Sequence, residues 1–478
     1  MVNKKALKIK TIMILIFLIL SNISILTIHG KNISKTQENY SHIQKTNTIY
    51  DLLIIAPAEF ARSLNPLVNH KNKHDVKTKL VTTKEVYDQI YWEGKDKAEK
   101  VKLFIKEAID NWDIQYVLLV GGRKNQFRTE TWWVPARYTY LDRPYDQRPE
   151  HRFLTDLYFA DIYDSEGNFS SWDDDDDGLF GEWPLNSSAV DIPDLYPDVY
   201  VGRLPCRNKL EVKIIVNKII NYETGRFDEY WFNKMVAVAG DTYPDKTDYY
   251  DGEVYTQEAL NMMQDFSPVK LYTSDGSLKN GFNIVKALNK GCGFVFFSGH
   301  GNAGCWVTHP PDDNKNWIGY FQHIHMRFLR NWRRLPVVIC GSGCFVNMFN
   351  VSLSYSHNLY WRGMFKYNVP NCWGWAFTKK IGGGSICVIG STGYSYESPD
   401  LTRKEGGCEW LDKHFFEQYG QKGTDILGKC WGDTITSFLQ NFTINWEDTT
   451  ARGDALVAKN CEQWLLIGDP SLKIGGYN

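Results

Sequence analysis

Short apolar runs alternate with longer stretches of helical periodicity along most of the chain. The run Tyr50–Ala56 is continuous and rich in β-favouring residues, as expected of a strand buried on both faces. Residues Lys97–Trp112 carry apolar side chains at intervals of three and four and lead into the apolar run Tyr116–Gly122. The pattern recurs at Asp198–Arg203, which precedes a helical stretch at Lys209–Glu223. Strands that alternate with helices predict an α/β fold with mostly parallel strands.

A second unit of the same kind begins near residue 226. Its predicted strands are Met235–Gly240, Val269–Tyr272, Gly293–Phe297, Pro336–Cys340, Ser385–Gly390 and Trp464–Ser471, with helices at Thr256–Met263 and Phe282–Asn289. We therefore predict two adjacent α/β subdomains, residues 49–225 and 226–478, each built on a doubly wound, mostly parallel sheet.

A long irregular insertion, residues 125–196, interrupts the first unit. At its centre five consecutive aspartates precede a glycine, so that Asp173, Asp175 and Asp177 match the start of a calcium-binding loop. The twelfth position of such a loop is proline here, and Glu182 can take the place of the usual acid. The pattern predicts a structural Ca²⁺ site formed by these four acids, with a solvated acidic turn as the alternative.

The amino terminus carries a targeting pattern. Four lysines within the first ten residues precede the uncharged run Thr11–Ile28, which is typical of a secretory signal. No small-x-small cleavage site follows it, so an uncleaved membrane anchor is the alternative. We assign residues 1–30 to this signal or anchor and the polar residues 31–48 to a linker or pro-segment. The folded part is therefore expected to be secreted or exposed at the cell surface.

Composition restricts the possible partners. The formal net charge of −2 argues against nucleic acid and against a generic attraction to acidic membranes, so membrane contact is expected only through the amino-terminal anchor. Ten cysteines in 478 residues do not make a disulfide framework, and most are expected to be buried thiols. The 14% of aromatic residues raise the alternative of a carbohydrate-active enzyme, but no spaced pair of carboxylates stands at predicted strand ends.

Two glycine-flanked residues follow apolar runs that we predict to be central strands. The run ending at Phe297 leads into Ser-Gly-His-Gly, which contains His300, and the run ending at Cys340 leads into Gly-Ser-Gly-Cys, which ends at Cys344. Ligands bind beyond the carboxyl ends of strands in open α/β sheets. A thiolate is a nucleophile and an imidazole can take its proton, so we predict catalysis by Cys344 and His300. The backbone N–H groups of Gly301 and Cys344 are candidate oxyanion donors, and Cys340 is the alternative nucleophile.

These motifs resemble those of the gingipain family of cysteine peptidases. The matching stretches are Phe297–Trp306, Leu335–Asn347, Ile389–Thr392, Gly468–Leu472 and, in the first half, Tyr196–Cys206. Their order and spacing extend the resemblance over roughly residues 49–475. The resemblance implies a caspase-like fold and a secreted cysteine endopeptidase that acts on proteins or peptides and needs no cofactor for its chemistry.

The resemblance also implies roles for individual acids. An acid at the end of an earlier strand orients the histidine in the family, and by position this is Asp241, for which a helix N-cap is the alternative role. Gingipains prefer Arg or Lys before the cleaved bond, and the corresponding region contains Asp251 and Glu253. Glu253 is the first choice because the predicted helix begins shortly after it. Trp306, within the matching motif, is a candidate substrate contact.

Two further interpretations stay open at the level of sequence. The same fold, without catalysis, would serve as a binding or surface-adhesion protein. A zinc site could be formed by three histidines that lie close together in the sequence, His309, His323 and His325, although this spacing is unspecific.

Overall fold

The structure is a computed structural model that describes residues 49–127, 129–145, 148–225, 229–245, 248–353, 369–398, 406–450 and 453–477. The predicted signal or anchor and the linker, residues 1–48, lie outside the described residues. Among the described residues, no helix is long and apolar enough to cross a membrane.

Strands from both halves of the chain form the central sheet. In chain order the strands are β1 (Leu52–Ala56), β2 (Thr78–Thr82), β3 (Tyr116–Val120), β4 (Arg137–Thr139), β5 (Arg143–Tyr145), β6 (Arg148–Glu150), β7 (Phe153–Thr155), β8 (Tyr200–Leu204), β9 (Lys234–Ala239), β10 (Ser267–Tyr272), β11 (Phe294–Phe297), β12 (His300–Asn302), β13 (Cys305–Thr308), β14 (Ile318–Gln322), β15 (Val337–Cys340), β16 (Cys387–Ser391) and β17 (Trp464–Ile467). Ten of them form one sheet in the order β10-β9-β11-β15-β16-β17-β8-β3-β1-β2.

Helices cover the sheet and connect its strands. They are α1 (Ala58–Lys73), α2 (Thr83–Gln89), α3 (Lys97–Trp112), α4 (Lys209–Glu223), α5 (Glu229–Phe232), α6 (Asp251–Met262), α7 (Gly281–Asn289), α8 (His323–Met326), α9 (Trp373–Thr378), α10 (Cys408–Gly420), α11 (Leu427–Asn441) and α12 (Asp454–Gln463), with one 3₁₀ turn at Leu157–Phe159. The predicted α/β class is confirmed.

The sheet has a six-stranded part, β10 to β17, and a four-stranded part, β8 to β2. Strands within each part are parallel except β17, which is antiparallel to β16. Strand β17 is parallel to β8 and pairs with it through the single register match of Ile467 with Arg203. The strands of the two parts therefore run in opposite directions within one continuous sheet, and the division into two subdomains stays a prediction.

Two helices have the bounds that the sequence pattern predicted, and polar caps fix their starts. The carboxylate of Asp96 accepts hydrogen bonds of 2.9 Å from the first turn of α3, and the side chain of Asn208 does the same for α4. Such caps satisfy N–H groups that have no partner within the helix. Local chemistry therefore marks both helix starts in the sequence.

Helix α6 begins earlier than the sequence predicts. Periodicity placed it at Thr256–Met263, whereas it starts at Asp251. The Asp251 carboxylate accepts a 2.7 Å hydrogen bond from the N–H of Thr242, which lies outside the helix, nine residues earlier in the sequence. Acidic Asp251 and Glu253 both lie in the first turn, where the helix dipole favours negative charge. Both acids thus belong to the helix rather than to a polar loop.

A buried ion network joins the two ends of the described chain. The ammonium of Lys71, in α1, lies 2.8 Å from Glu223 at the end of α4 and 2.9 Å from Asp469, just after β17. All three side chains have no exposed surface. Burial alone lowers the pKa of Lys71, but the charges of Asp469 and Glu223 outweigh burial and raise it. The Gly-Asp-Pro-Ser motif therefore has a structural role here.

The insertion contacts the carboxyl-terminal half of the molecule. Buried Arg203 in β8 binds Asp156 of the insertion through bonds of 2.6 and 2.7 Å. The carbonyl of Leu154 accepts a bond of 2.5 Å from the hydroxyl of Thr392, and the carboxylate of Glu150 accepts bonds from the N–H of Tyr394. Both of the latter residues follow β16, so the first subdomain supports the loop beside the predicted active site.

The buried ion network predicts a large effect of Lys71→Leu on stability. The substitution leaves two buried carboxylates without their cation, so the free energy of unfolding should fall by about 3–5 kcal/mol. Urea denaturation followed by circular dichroism measures this change. The control is Lys84→Ala, which removes an exposed ion pair with Asp88 and should cost less than about 1 kcal/mol. Equal effects of the two substitutions would contradict the structural role of the network.

Candidate active site

Two loops meet beyond the carboxyl ends of neighbouring strands. Strands β11 and β15 are adjacent and parallel, with Phe294 opposite Val337. Their carboxyl ends therefore lie at one edge of the sheet, where His300 and Cys344 follow within four residues. A Cβ placed on Gly301 would lie 2.8 Å from the Cα and carbonyl carbon of Gly343. Only glycine allows this approach, which holds the residue after His300 against the residue before Cys344.

The burial of the cysteines separates Cys344 from the others. All ten are free thiols; nine are buried and Cys344 alone is partly exposed. The side chain of Cys340 has no exposed surface and packs in the apolar core under the sheet. Burial raises the pKa of Cys340 well above its usual value. The structure therefore favours Cys344 over Cys340 as a nucleophile.

A buried carboxylate holds the turn that precedes Cys344. The two oxygens of Asp412, in α10, accept 2.9 Å hydrogen bonds from the N–H groups of Gly341 and Ser342. The carbonyl of Gly341 accepts bonds of 2.6 Å from the hydroxyls of Ser391 and Ser395. A Cβ on Gly341 would lie 2.3 Å from the Asp412 carboxylate, so glycine is required there.

Sequence reasoning missed Asp412. It lies 68 residues after Cys344 on a separate helix, and nothing in the sequence around it distinguishes it from other acids in helices. Burial raises its pKa to about 7, against the opposing effect of the hydrogen bonds from the turn and from Trp464. The carboxylate is thus a supporting group for the loop and lies beneath it.

The thiol of Cys344 is protonated in this resting geometry. The N–H of Ser395 donates to its sulfur at 3.4 Å, and the sulfur lies 3.9 Å from the carbonyl of Ser395. Burial raises the pKa of Cys344 to about 11, although the hydrogen bond from Ser395 opposes this shift. A proton acceptor is therefore needed before the sulfur can act as a nucleophile.

His300 is a neutral imidazole with a defined tautomer. Its Nε2 lies 2.8 Å from the carbonyl oxygen of Thr242, which can only accept, so Nε2 carries the hydrogen and Nδ1 keeps its lone pair. Burial lowers the pKa of His300 to about 4. The rings of Tyr243 and Trp317 contact it edge-on at 5.2 Å. The geometry prepares this histidine to accept a proton.

The histidine has a different partner from the one predicted. The Asp241 carboxylate accepts a 2.8 Å bond from the N–H of Asp312, and its own N–H bonds to the carbonyl of His309. The carbonyl of the next residue, Thr242, contacts His300 instead. Asp241 is buried and directly precedes the residue whose carbonyl contacts His300. Its catalytic role stays a prediction.

The two candidate specificity acids differ in their contacts. The Glu253 carboxylate is occupied on both oxygens by Thr273 and Ser274, at distances from 2.5 to 3.2 Å. One oxygen of Asp251 accepts from the N–H of Thr242, and its carboxyl group also shares a side-chain hydrogen bond with Glu397. Glu253, the first choice from sequence, therefore fixes the loop after β10. The structure favours Asp251 as the candidate acid for binding a basic substrate side chain.

Asp251 belongs to a group of buried acids that sequence reasoning did not connect. Burial raises the pKa of Asp251 to about 6 and that of Glu409 to about 7. Burial, followed by the charge of Asp251, raises the pKa of Glu397 well above its usual value. A side-chain hydrogen bond with Asp251 adds to this shift, so the two carboxyl groups lie beside each other. We call Asp251, Glu397 and Glu409 the acidic cluster.

The prediction that Trp306 contacts the substrate is wrong, because this residue is buried. Its side chain is fully buried, with its ring 5.2 Å from that of Phe297 in the core. Trp317, which is 38% exposed, takes the place beside the histidine and stacks at 3.7 Å on His309. All four residues of β13 are buried, a detail that a motif match does not resolve.

The acidic loop of the insertion brings the predicted calcium ligands together. Asp173, Asp175 and Asp177 each offer an oxygen within 4.8 Å of the others, and no other group of three potential ligands occurs among the described residues. Burial and the charges of these acids raise the pKa of Glu182, which places it beside the loop. The ammonium of Lys95 lies 2.9 Å from Asp173 and partly balances its charge. The three histidines of the zinc alternative do not form such a group.

Comparisons with known proteins identify the family of the chain. The sequence model of peptidase family C25 matches residues 45–475. Gingipain R2 and gingipain R1 of Porphyromonas gingivalis are each 20% identical to the chain over 432 residues, or 88% of its length. The chain spans less than half the length of these curated relatives, 46% of gingipain R2 and 20% of gingipain R1.

Solved structures show a related fold. The Arg specific cysteine proteinase gingipain R matches with a TM-score of 0.59 at 18% identity, over 91% of this chain and 80% of its own. The complex of the pro- and mature domains of Porphyromonas gingivalis RgpB gives the same TM-score over 89% and 79%. This similarity confirms the predicted caspase-like α/β fold.

The raised pKa of Cys344 predicts how its alkylation depends on pH. Because the thiolate is the reactive form, iodoacetamide labelling should rise steadily from pH 6 to 10 and, at neutral pH, be on the order of 100-fold slower than for a free cysteine. Mass spectrometry identifies the labelled residue. Cys344→Ser is the control and should leave the folded protein unlabelled. A reactivity plateau that extends to acidic pH would show a preformed thiolate–imidazolium pair instead.

Proposed function

Since the chain belongs to peptidase family C25, as its resemblance to gingipains predicted, we propose that it is a cysteine endopeptidase that acts on proteins or peptides outside the cytoplasm. One observation carries the proposal: the one partly exposed cysteine lies beyond β15, and its loop is packed against the loop of a neutral histidine beyond β11. The basic and apolar amino terminus supports the location.

The geometry supports nucleophilic catalysis. His300 takes the thiol proton as the sulfur of Cys344 attacks the peptide carbonyl, and it then gives this proton to the departing amine. The resulting thioester is hydrolysed by water, with the imidazole again as the base. The N–H groups of Gly301 and Cys344 are proposed to bind the oxyanion, because the glycine contact brings their loops together. No metal or organic cofactor is needed in this sequence of steps.

The nucleophile is tested by Cys344→Ala. Loss of the sulfur should reduce the rate of peptide cleavage on the order of 10³-fold or more while the unfolding midpoint stays close to that of the parent. Cleavage of a peptide library, analysed by mass spectrometry, measures both the rate and the sites. Cys340→Ala is the matched control and should keep most of the activity. If the parent protein binds peptides but cleaves none, the chain is a silent binding protein and the proposal fails.

We further propose that substrates carry Arg, and less well Lys, before the cleaved bond. The acidic cluster of Asp251, Glu397 and Glu409 supports this proposal, because buried carboxylates with raised pKa values are stabilised in their charged form by a cation. A planar guanidinium offers paired hydrogen bonds that an ammonium does not. Gingipain R is itself described as Arg specific.

Glu397→Gln tests the specificity. The substitution keeps the shape of the side chain but removes its charge, so KM for arginyl peptides should rise roughly tenfold or more, while iodoacetamide labelling of Cys344 stays unchanged. Steady-state kinetics with paired arginyl and lysyl substrates provide the measurement. Glu253→Gln is the control, since its carboxylate is occupied by Thr273 and Ser274. A raised KM only in the Glu253 variant would return the specificity to that residue.

We also propose that Ca²⁺ binds Asp173, Asp175, Asp177 and Glu182 and stabilises the insertion. The convergence of carboxylate oxygens and the raised pKa of Glu182 fit a hard cation with oxygen ligands. The ion would have a structural role, because the loop belongs to the first subdomain and none of these acids contributes to the chemistry proposed above.

Calcium should raise the melting temperature of the parent protein. A free Ca²⁺ concentration of one hundred times Kd adds about 2.7 kcal/mol to the free energy of unfolding. The double variant Asp175→Asn, Asp177→Asn should lose this shift. Asp176→Asn is the matched control, because the Asp176 side chain is 81% exposed and lies between the proposed ligands in sequence. A melting temperature that does not respond to calcium or chelator in the parent would contradict the site.

A further inference from the structure

The charges of the chain are distributed unevenly. The full sequence has 54 Lys and Arg residues and 56 Asp and Glu residues. From Gly276 to Tyr396, however, there are twelve Lys and Arg residues and only two acids, Asp312 and Asp313. A near-neutral protein therefore contains a long segment that is strongly basic, and the structure shows where its charges collect.

Four arginines of this segment lie between α8 and β15, in the stretch Arg327–Arg334. The guanidinium of Arg334 bonds to the carbonyls of Asn289 and Lys290, just before β11. The N–H of Trp332 bonds to the carbonyl of Gly382, just before β16. The loops that enter three adjacent strands thus form one surface, at the edge of the sheet opposite to Cys344.

Large apolar side chains protrude from this basic surface. Trp332 is 67% exposed, Ile381 66% and Phe328 49%. Trp332 has a φ of +49°, a left-handed conformation that is rare for a bulky residue. We define the basic-aromatic patch by six residues: Arg327, Phe328, Arg330, Trp332, Arg333 and Ile381. Exposure of such side chains together marks an interaction surface.

The positive charges of the patch are not balanced within the protein. None of its three arginines forms an ion pair with any residue in the described ranges, and the guanidinium of Arg330 donates to the backbone carbonyls of Arg327 and Leu329. Lys380, beside Ile381, has a pKa lowered by burial and by the charge of Arg330. Like charges that crowd together without acids are complementary to an anionic partner.

We propose that the basic-aromatic patch docks the protein on a lipid bilayer that carries anionic headgroups. Arginines attract the headgroups, and exposed Trp, Phe and Ile side chains gain free energy by entering the interfacial region. Ile381 and Phe328 have no hydrogen-bonding groups, so a soluble polyanion would leave their apolar surface in water. A bilayer satisfies the charges and the apolar side chains at once, and for this reason we favour it over an anionic polymer.

The topology gives docking a direction. The patch precedes β15 and β16, whereas His300 and Cys344 follow β11 and β15. Because these strands are parallel, the bilayer would contact one edge of the sheet while the proposed active site opens at the other. A bound enzyme would therefore present its cleft to proteins in solution. This inference does not depend on catalysis, since binding can be measured without a substrate.

The test measures sedimentation of the full chain with vesicles. Vesicles contain phosphatidylcholine alone or equal amounts of phosphatidylcholine and phosphatidylglycerol. We expect tighter binding to the anionic vesicles, weakened by sodium chloride. Replacing Arg327, Arg330 and Arg333 with Gln should weaken this binding on the order of 100-fold, at roughly a factor of five for each charge. Comparing variants of the same full chain cancels any contribution of the amino-terminal apolar run.

Two matched controls separate the patch from general effects. Replacing three exposed lysines elsewhere, Lys73, Lys97 and Lys213, with Gln removes the same charge and should leave binding within about twofold of the parent. Leu210→Ala removes an apolar side chain that is 65% exposed at another site and should have no effect. Iodoacetamide labelling of Cys344, at the opposite edge, and an unchanged urea midpoint verify that each variant is folded.

The apolar part of the proposal has its own variant. The double substitution Trp332→Ala, Ile381→Ser should lower the affinity for anionic vesicles at least roughly tenfold with the charge unchanged. If this variant binds as the parent does while the arginine variant does not, the patch serves a soluble polyanion and the membrane proposal is overturned. Equal binding of the parent to neutral and anionic vesicles, or an equal loss in the lysine control, would also overturn it.

Discussion

The proposed active site depends on one buried carboxylate. Asp412 accepts both N–H groups of the turn after β15, and this turn carries the nucleophile. Two hydroxyls fix the carbonyl of Gly341 from the other side. Unpaired backbone groups inside a protein are costly, so these contacts leave the loop one conformation. The close contact of Gly301 with Gly343 then determines where the histidine stands.

Burial gives this site its electrostatic character. It lowers the pKa of His300 to about 4 and raises that of Cys344 to about 11, so the resting pair is uncharged. The same burial raises the pKa values of Asp251 and Glu409. The proposed cationic substrate side chain would supply a countercharge to these carboxylates.

The sequence reveals those parts of the structure that depend on local chemistry. Helices α3 and α4 were predicted from the pattern of their residues, and the caps Asp96 and Asn208 mark the same starts locally; the central strands were predicted because they are continuous apolar runs. Contacts between distant segments were not predictable. The start of α6 depends on the contact of Asp251 with Thr242, and Asp412 reaches the nucleophile loop from a separate helix. Periodicity and motif spacing contain no information on such contacts.

The net charge of the whole chain likewise does not predict the charge of an individual surface. A net charge of −2 argues against general attraction to an acidic membrane, because distant fields of opposite sign cancel. Screening restricts each charge to about one Debye length, roughly 8 Å, so a surface responds to its own residues and not to the sum over the chain. Loops that enter β15 and β16 bring Arg330 and Trp332 next to Ile381 although about fifty residues separate them in sequence. The parallel strands then place this surface and the nucleophile at opposite edges, so docking at one edge leaves the other free for substrates.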